Sequence, residues 1–339
     1  MHRLPLALLP LLVFLPAGNV PARPKPVGPG FLTIVNQRDH TLVLFNLATG
    51  KSVATIEVGI NGHEVAVSPD GKFAYVPIYG NSGVGKPGTD GRTIDIIDLH
   101  TDTVAGHIDL GKPVRPHCAK FGPDGLLYVT AELANSILVV DTADRKVVAE
   151  IPTGQTQTHM LVISPDGHRA YTANVESGTV SVLDLQQRSL ITVIPVAKSL
   201  QRISISPNGR YVFTHDQDNP RIAMISTADN KIMQWINLPS TVYSSAVTPD
   251  NRRLVAASPA GKIFVVDLTS SKLVSAPLLS SVDVPPSAGE VLLAPDGSHA
   301  YLSCPSAGSV QVLDLSSGKL QEPFLLTKGV DGLDWLSSL

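Results

Sequence analysis

Three short stretches place a histidine at the same distance before a turn. "GHEVAVSPDG", "RPHCAKFGPDG" and "THMLVISPDG" set His63, His117 and His159 five residues before Ser68, Gly122 and Ser164. Imidazole nitrogens ligate metals, and three of them with one open position make a catalytic zinc arrangement. Ligand type alone equally admits copper, iron or manganese, and such a divalent metal is the one cofactor these side chains suggest. Glu64 and Glu132 are the candidate general bases. Arg202 could hold an anionic group by paired hydrogen bonds. Tyr79, Asn174, Asp216 and Tyr243 complete the candidate ligand-binding set. The competing reading of the histidines is structural: each can bond the loop between two repeats, and the three need not converge.

The elements that must position these residues come from a repeat. The turn recurs as "SPDG" at 68–71, "GPDG" at 122–125, "SPDG" at 164–167, "SPNG" at 206–209, "TPDN" at 248–251 and "APDG" at 294–297. The intervals are 54, 42, 42, 42 and 46 residues, so the period is 42 and the first interval carries 12 extra. Each period holds four short runs rich in β-branched residues and bounded by turn residues, as in "MLVIS", "RAYTAN", "TVSVLDL" and "LITVIPV". Helical periodicity is absent. Four strands per period of about 42 residues marks a propeller blade. Residues 31–58 supply only the last three strands of a blade, and "GVDGLDWLSS" at 329–338 supplies the missing one. The expected fold is therefore an all-β, seven-bladed beta-propeller with four-stranded blades, closed by the C-terminal strand joining the N-terminal blade. Closure leaves few free sheet edges.

In that frame, residues five before each turn start the innermost strand: His63, His117, His159, Gln201, Tyr243 and Gly289. Residues ten after it end the second strand: Ile78, Glu132, Asn174, Asp216, Ser258 and Cys304. Antiparallel pairing puts both sets on one face of the disc, at the mouth of the central channel. Residues common to nearly every blade are structural. Asn46, Asp98, Asp141, Asp184, Asp267 and Asp314 end the third strand, where a side-chain oxygen bonds turn N–H groups. His215 and Asp216 depart from the "YTAN" pattern, and His215 is expected in a surface or loop role. Cys118 and Cys304 fall on distant blades and are not expected to pair.

The pattern "PDG…YTAN…GTVSVLDL" resembles the YVTN-type, YncE-like seven-bladed propellers over essentially all of 31–339. The resemblance implies an exported binding protein of unknown ligand. More distant propellers include lactonases and a metal-dependent lyase, which makes a hydrolase or lyase the alternative.

The 339 residues carry a formal net charge of −3 and 43% hydrophobic residues. That describes a globular chain with no basic excess for nucleic acid or an anionic membrane. "MHRLPLALLPLLVFLPAGNVPA" reads as a cleaved signal peptide over 1–22, with a Pro/Gly-rich lead-in over 23–30. The apolar run is short for a bilayer, so no stable membrane insertion follows cleavage. The expected location is periplasmic or secreted, and the expected partner is a small molecule or protein at the channel mouth. The insertion "GNSGVGKPGTDGR", 80–92, matches a phosphate loop in spacing. It lacks the Ser or Thr after lysine and a following helix, so no nucleotide site is assigned. Two readings remain for it, a lid beside His63 and Tyr79 or a decorated loop. No G-x-S-x-G elbow and no C-x-x-C-H sequence is present.

Overall fold

A computed structural model describes residues 30–270, 278–287 and 289–337. The expected leader, and the lead-in up to residue 29, lie outside these residues. No helix among the described residues is long and apolar enough to cross a membrane.

The strands form seven antiparallel sheets. Six take their strands in chain order. In the remaining one Val330–Leu336 pairs with Phe31–Asn36, which pairs with Thr41–Asn46 and then Lys51–Glu57. The last strand thus completes the first blade and closes the ring. The seventh blade departs from the template: its outer strand is split into Lys319–Leu320 and Phe324–Leu325, both paired with Ser309–Asp314.

The repeated turn explains why blades form where they do. In "SPDG" at 164–167, Ser164 Oγ donates to Asp166 Oδ1 at 2.5 Å and accepts from Arg169 N at 2.9 Å. Gly167 takes φ 72°, where a side chain would be strained, and its N–H bonds Ser164 O at 2.8 Å. The same Ser–Asp contact recurs at Ser68 and Asp70. The Asp that ends the third strand in five of the blades is a turn acceptor, as expected, and Asn46 does the same in the first. Asp141 Oδ1 takes the N–H groups of Ala143 and Asp144 at 3.0 Å, and Asp314 Oδ1 those of Ser316 and Ser317 at 2.8 and 2.9 Å.

The core lies between blades. One cluster joins Val139 of the third blade, Tyr171 and Val182 of the fourth and Ala223 of the fifth, and another joins Leu42 and Leu44 of the first with Ala74 and Ile97 of the second. The inner strands of each sheet are buried on both faces and read as nearly continuous apolar runs.

Candidate functional site

The inner strands carrying the histidines all contain one extra residue at the mouth. In the third blade Pro116 pairs with Ala131 and Ala119 with Val129, so three steps on one strand answer two on the other. In the fourth, Thr158 pairs with Asn174 and Met160 with Ala173. In the second, Gly62 bridges Ile78 while Ala66 pairs with Tyr75. A bulge bends the strand and re-aims a side chain. Here it turns His63, His117 and His159 together.

The three rings lie against one another with their planes tilted. His117 and His159 have centroids 3.8 Å apart with planes tilted 38°, and His63 and His117 are 4.7 Å apart at 34°. Tyr79 meets His63 edge-on at 5.1 Å. Convergence on one ion at ~2.0–2.1 Å needs a different arrangement. His63 is further committed at both nitrogens: Nδ1 lies 3.0 Å from Asp331 Oδ2 and Nε2 2.8 Å from Gln37 Nε2. Among the described residues no three His, Cys, Asp or Glu side chains are grouped to hold a metal ion. The donor set assembled by spacing is therefore brought together but does not fit a metal in this arrangement.

Glu132 sits beside the stack, fully buried. Its Oε2 accepts from Tyr79 Oη at 2.7 Å and lies 3.5 Å from His159 Nδ1, while Oε1 is 3.7 Å from Arg115 Nη1. Burial would raise its pKa, but His159, Tyr79 and Arg115 outweigh it and hold the carboxyl below its usual range. Burial lowers the pKa of His159, and burial plus the neighbouring His159, His63 and Arg202 takes His117 well below the usual imidazole value. These two rings are neutral at physiological pH.

One layer deeper, Arg202 faces three carboxylates. Its guanidinium lies 2.8 Å from Glu64 Oε1, 3.4 Å from Asp331 Oδ1 and 3.9 Å from Glu290 Oε1, and it stacks 5.2 Å from the Tyr243 ring. Arg202 therefore already has anionic partners within the chain, which corrects its expected role as a free anion holder. The three carboxyls divide the compensation unequally. Burial, with Glu290 and Asp331 adding, pushes Glu64 up to about 8 against the pull of Arg202. Burial likewise raises Glu290. Burial also opposes ionisation of Asp331, but His63 and Arg202 hold it below its usual range. The short Arg202–Glu64 distance alone would suggest an ion pair. One guanidinium shared by three buried carboxyls cannot keep all of them ionised, so we take Glu64 as protonated at neutral pH. As a resting base it is misassigned by sequence, and Glu132 alone keeps that capacity. Below this layer Lys120 stays charged: burial opposes it, and Cys118, Glu290, Asp334 and Glu64 reverse the effect.

Two expected site residues serve their own blades. Asn174 accepts from Thr158 and Thr172 Oγ1, each at 3.1 Å, and donates to Thr179 and to Ser181 Oγ at 2.9 Å. Asp216 accepts from Asp218 N, Asn219 N and Arg221 Nε, holding a loop. Their polar groups are spent locally. His215, expected at the surface, is fully buried; its Nε2 lies 2.8 Å from Ser245 Oγ, and burial lowers its pKa to about 3. Cys118 and Cys304 are free and buried.

Sequence reasoning missed Glu290, Asp331, Gln37, Lys120 and Arg115. Glu290 was within reach, because the column four residues before each turn reads Glu64, Cys118, Met160, Arg202, Ser244 and Glu290. Asp331 was not, since no turn follows it to set a register.

The insertion is tethered to the site. Arg115 Nε donates to Asp90 Oδ1 at 2.6 Å, Nη1 to Gly83 O at 3.1 Å and Nη2 to Lys86 O at 2.8 Å. The same guanidinium lies 6.0 Å from the Tyr79 ring centre. Arg115 itself holds φ 50°, a left-handed conformation for a non-glycine residue. Arg115→Ala is expected to release residues 81–90, so that limited digestion with proteinase K cuts there at least about tenfold faster while the blades stay intact. Unchanged digestion would mean that the loop is held by its own backbone.

No protein-family model matches the chain. Among curated proteins it is similar to the seven-bladed beta-propeller protein Rv1057 of Mycobacterium tuberculosis, 33% identical over 132 residues, which are 38% of this chain and 30% of that protein. It is also similar to dihydro-heme d1 dehydrogenase of Pseudomonas aeruginosa, 37% identical over 78 residues, 23% of this chain and 16% of that one. The matched stretches thus span under a third of either relative. Among solved structures, Kuenenia stuttgartiensis hydrazine synthase superposes with a TM-score of 0.73 at 21% identity, covering 90% of this chain and 99% of that one. A functionally unknown protein from Desulfotomaculum acetoxidans gives 0.76 at 14%, with 91% and 99% covered. The periplasmic gluconolactonase PpgL of Pseudomonas aeruginosa gives 0.72 at 15%, again with 91% and 99%. At such identities the likeness is one of fold, and one fold hosts many functions.

Proposed function

We propose that the protein is an exported, YncE-like propeller that binds a small polar ligand at the mouth of its central channel. One observation carries this reading. Among the described residues His117 Nδ1, Glu132 Oε1, Glu64 Oε2 and Arg202 Nε are buried close together without a hydrogen-bond partner, and His159 Nδ1 has only its 3.5 Å contact with Glu132 Oε2. Each unmet group costs about 1–3 kcal/mol, and a fold has no reason to collect four of them in one place. A ligand offering both donors and acceptors satisfies them together. Concave mouths of β-structures are common ligand sites.

A second reading, hydrolase or lyase, is favoured by one contact set. Glu132, held ionised beside His159 and Tyr79, has the charge state of a general base. The solved gluconolactonase shares the fold and lends this reading a substrate class, lactones.

The test uses tag-free mature protein. Thermal unfolding is followed against a panel of small hydroxy acids, lactones and amines, with His117→Ala and Glu132→Gln as controls, and metal content is measured on the same samples. The expected result is a rise in Tm of several degrees with at least one compound, lost in both variants. A panel with no stabilising compound overturns the ligand site. Near-stoichiometric zinc, copper, manganese or iron, lost on changing all three histidines to alanine, would replace this reading by the metal-dependent one. Turnover of a panel lactone that fails in Glu132→Gln would select the enzyme.

A further inference from the structure

The closing strand contributes more than backbone. Val330–Leu336 pairs Leu333 with Ile34 and Val330 with Asn36, three steps against two. This is the one-residue excess found at His63, His117 and His159, so Asp331 and Gly332 lie at the bulge that the histidines occupy in the next three blades. Asp331 uses its two oxygens separately. Oδ2 lies 3.0 Å from His63 Nδ1, and Oδ1 accepts from Arg202 Nη2 at 3.4 Å. On the other side of the His63 ring the Gln37 amide NH2 donates to Nε2 at 2.8 Å. A ring that accepts at Nε2 carries its proton on Nδ1 and donates it to Asp331.

The backbone around Asp331 is locked to the same place. Gly332 N donates to His63 O at 2.8 Å, and Leu333 N to Glu290 Oε2 at 2.6 Å. A Cβ at residue 332 would stand 2.5 Å from His63 O and 2.7 Å from Glu64 Cα, so only glycine lets the closing strand approach this closely. Asp334 Oδ2 accepts from Val67 N at 2.8 Å, fastening the strand to the second blade further down the channel.

We infer that Asp331 is the seventh wall of the mouth and the positioning residue of His63, so that the site is complete only when the C-terminal strand has closed the ring. The inference rests on reading the mouth as a ligand site, and it adds how that site is assembled. Docking of the last strand fixes one tautomer of His63 and one orientation of its ring, and the His63–His117–His159 stack is built from that ring outward.

The experiment is 15N NMR of the histidine rings in the full chain, well above the ordinary imidazole pKa, for wild type, Asp331→Asn, Asp331→Ala and Gly332→Ala. Wild type is expected to show His63 as a single Nδ1–H tautomer with well-separated nitrogen shifts. Asp331→Asn keeps an acceptor oxygen and is expected to keep that signature. Asp331→Ala is expected to lose it, the two shifts moving toward their average, and to speed amide exchange at Gly332 and Leu333 by about tenfold. Gly332→Ala is expected to give the same loss with the carboxylate intact, and it carries the test if Asp331→Ala fails to fold. An unchanged His63 signature in folded Asp331→Ala or Gly332→Ala overturns the inference. A panel in which no ligand binds leaves these signals untouched, so failure of the ligand reading and failure of this one are told apart.

Discussion

Arg202→Met should be the most damaging single change at the channel, lowering stability by about 3–5 kcal/mol in urea unfolding at neutral pH. The Arg202 side chain is only 5% exposed and faces Glu64, Asp331 and Glu290. Methionine fills much of the same volume, so the loss comes from charge and not from a cavity. It leaves Asp331, which His63 and Arg202 together hold ionised, with one partner fewer in a buried setting. The asymmetry of buried ion pairs then applies: breaking one is costly, while removing both partners costs less. Asp331→Asn added to Arg202→Met is accordingly expected to recover part of the loss. A loss below about 1 kcal/mol would place Arg202 among solvated surface charges and remove the electrostatic basis of the inner layer.

Glu64→Gln should change the pH dependence of stability more than any other neutral substitution. Burial moves the Glu64 carboxyl from its ordinary 4.5 to about 8. Between these values the folded chain binds a proton that the unfolded chain has released. Stability from this group is therefore full below pH 4.5, falls as pH rises toward about 8 and is gone above it. A shift of that size corresponds to on the order of 5 kcal/mol across the window. Glutamine mimics the protonated acid, so variant and wild type should be nearly equal at pH 5, and the variant should be the more stable at pH 9. Asp331 and Glu132, whose pKa values are lowered, contribute the opposite slope: their stability is lost as pH falls through the acid range. Both are present in the two proteins and cancel in the difference. Parallel urea-unfolding curves from pH 5 to 9 would show that Glu64 ionises normally and that Arg202 alone satisfies it.

These two residues also mark where reading by columns reached its limit. Columns five before and ten after each turn brought out His63, His117, His159, Glu132 and Tyr243; the first four touch one another in sequence and Tyr243 stacks on Arg202. The same columns produced Asn174 and Asp216, whose side chains are consumed by Thr158, Thr179 and Ser181 in one case and by Asn219 and Arg221 in the other. A column gives direction from the sheet, and it cannot say which hydrogen bonds are already made. The metal expectation rested on the same gap. Residue type and spacing set three imidazoles side by side, but whether they converge or stack depends on ring torsions and on partners such as Gln37 and Asp331 from the first blade.

The sequence by itself determined the ring: four strands per period, seven blades, and closure of the first blade by the last strand. It could do so because strands, turns and the alternation of faces depend on neighbours a few residues apart, repeated six times with a proline-led turn that in four cases carries Pro, Asp and Gly together. Only the tertiary structure decided the chemistry of the mouth. Asp331 is 268 residues from His63 along the chain, and Arg202 is 129 from Asp331. Their contact, the protonation that burial forces on Glu64 and the packing of the histidines depend on groups that no local pattern relates, brought within 2.8–3.4 Å only when the ring closes.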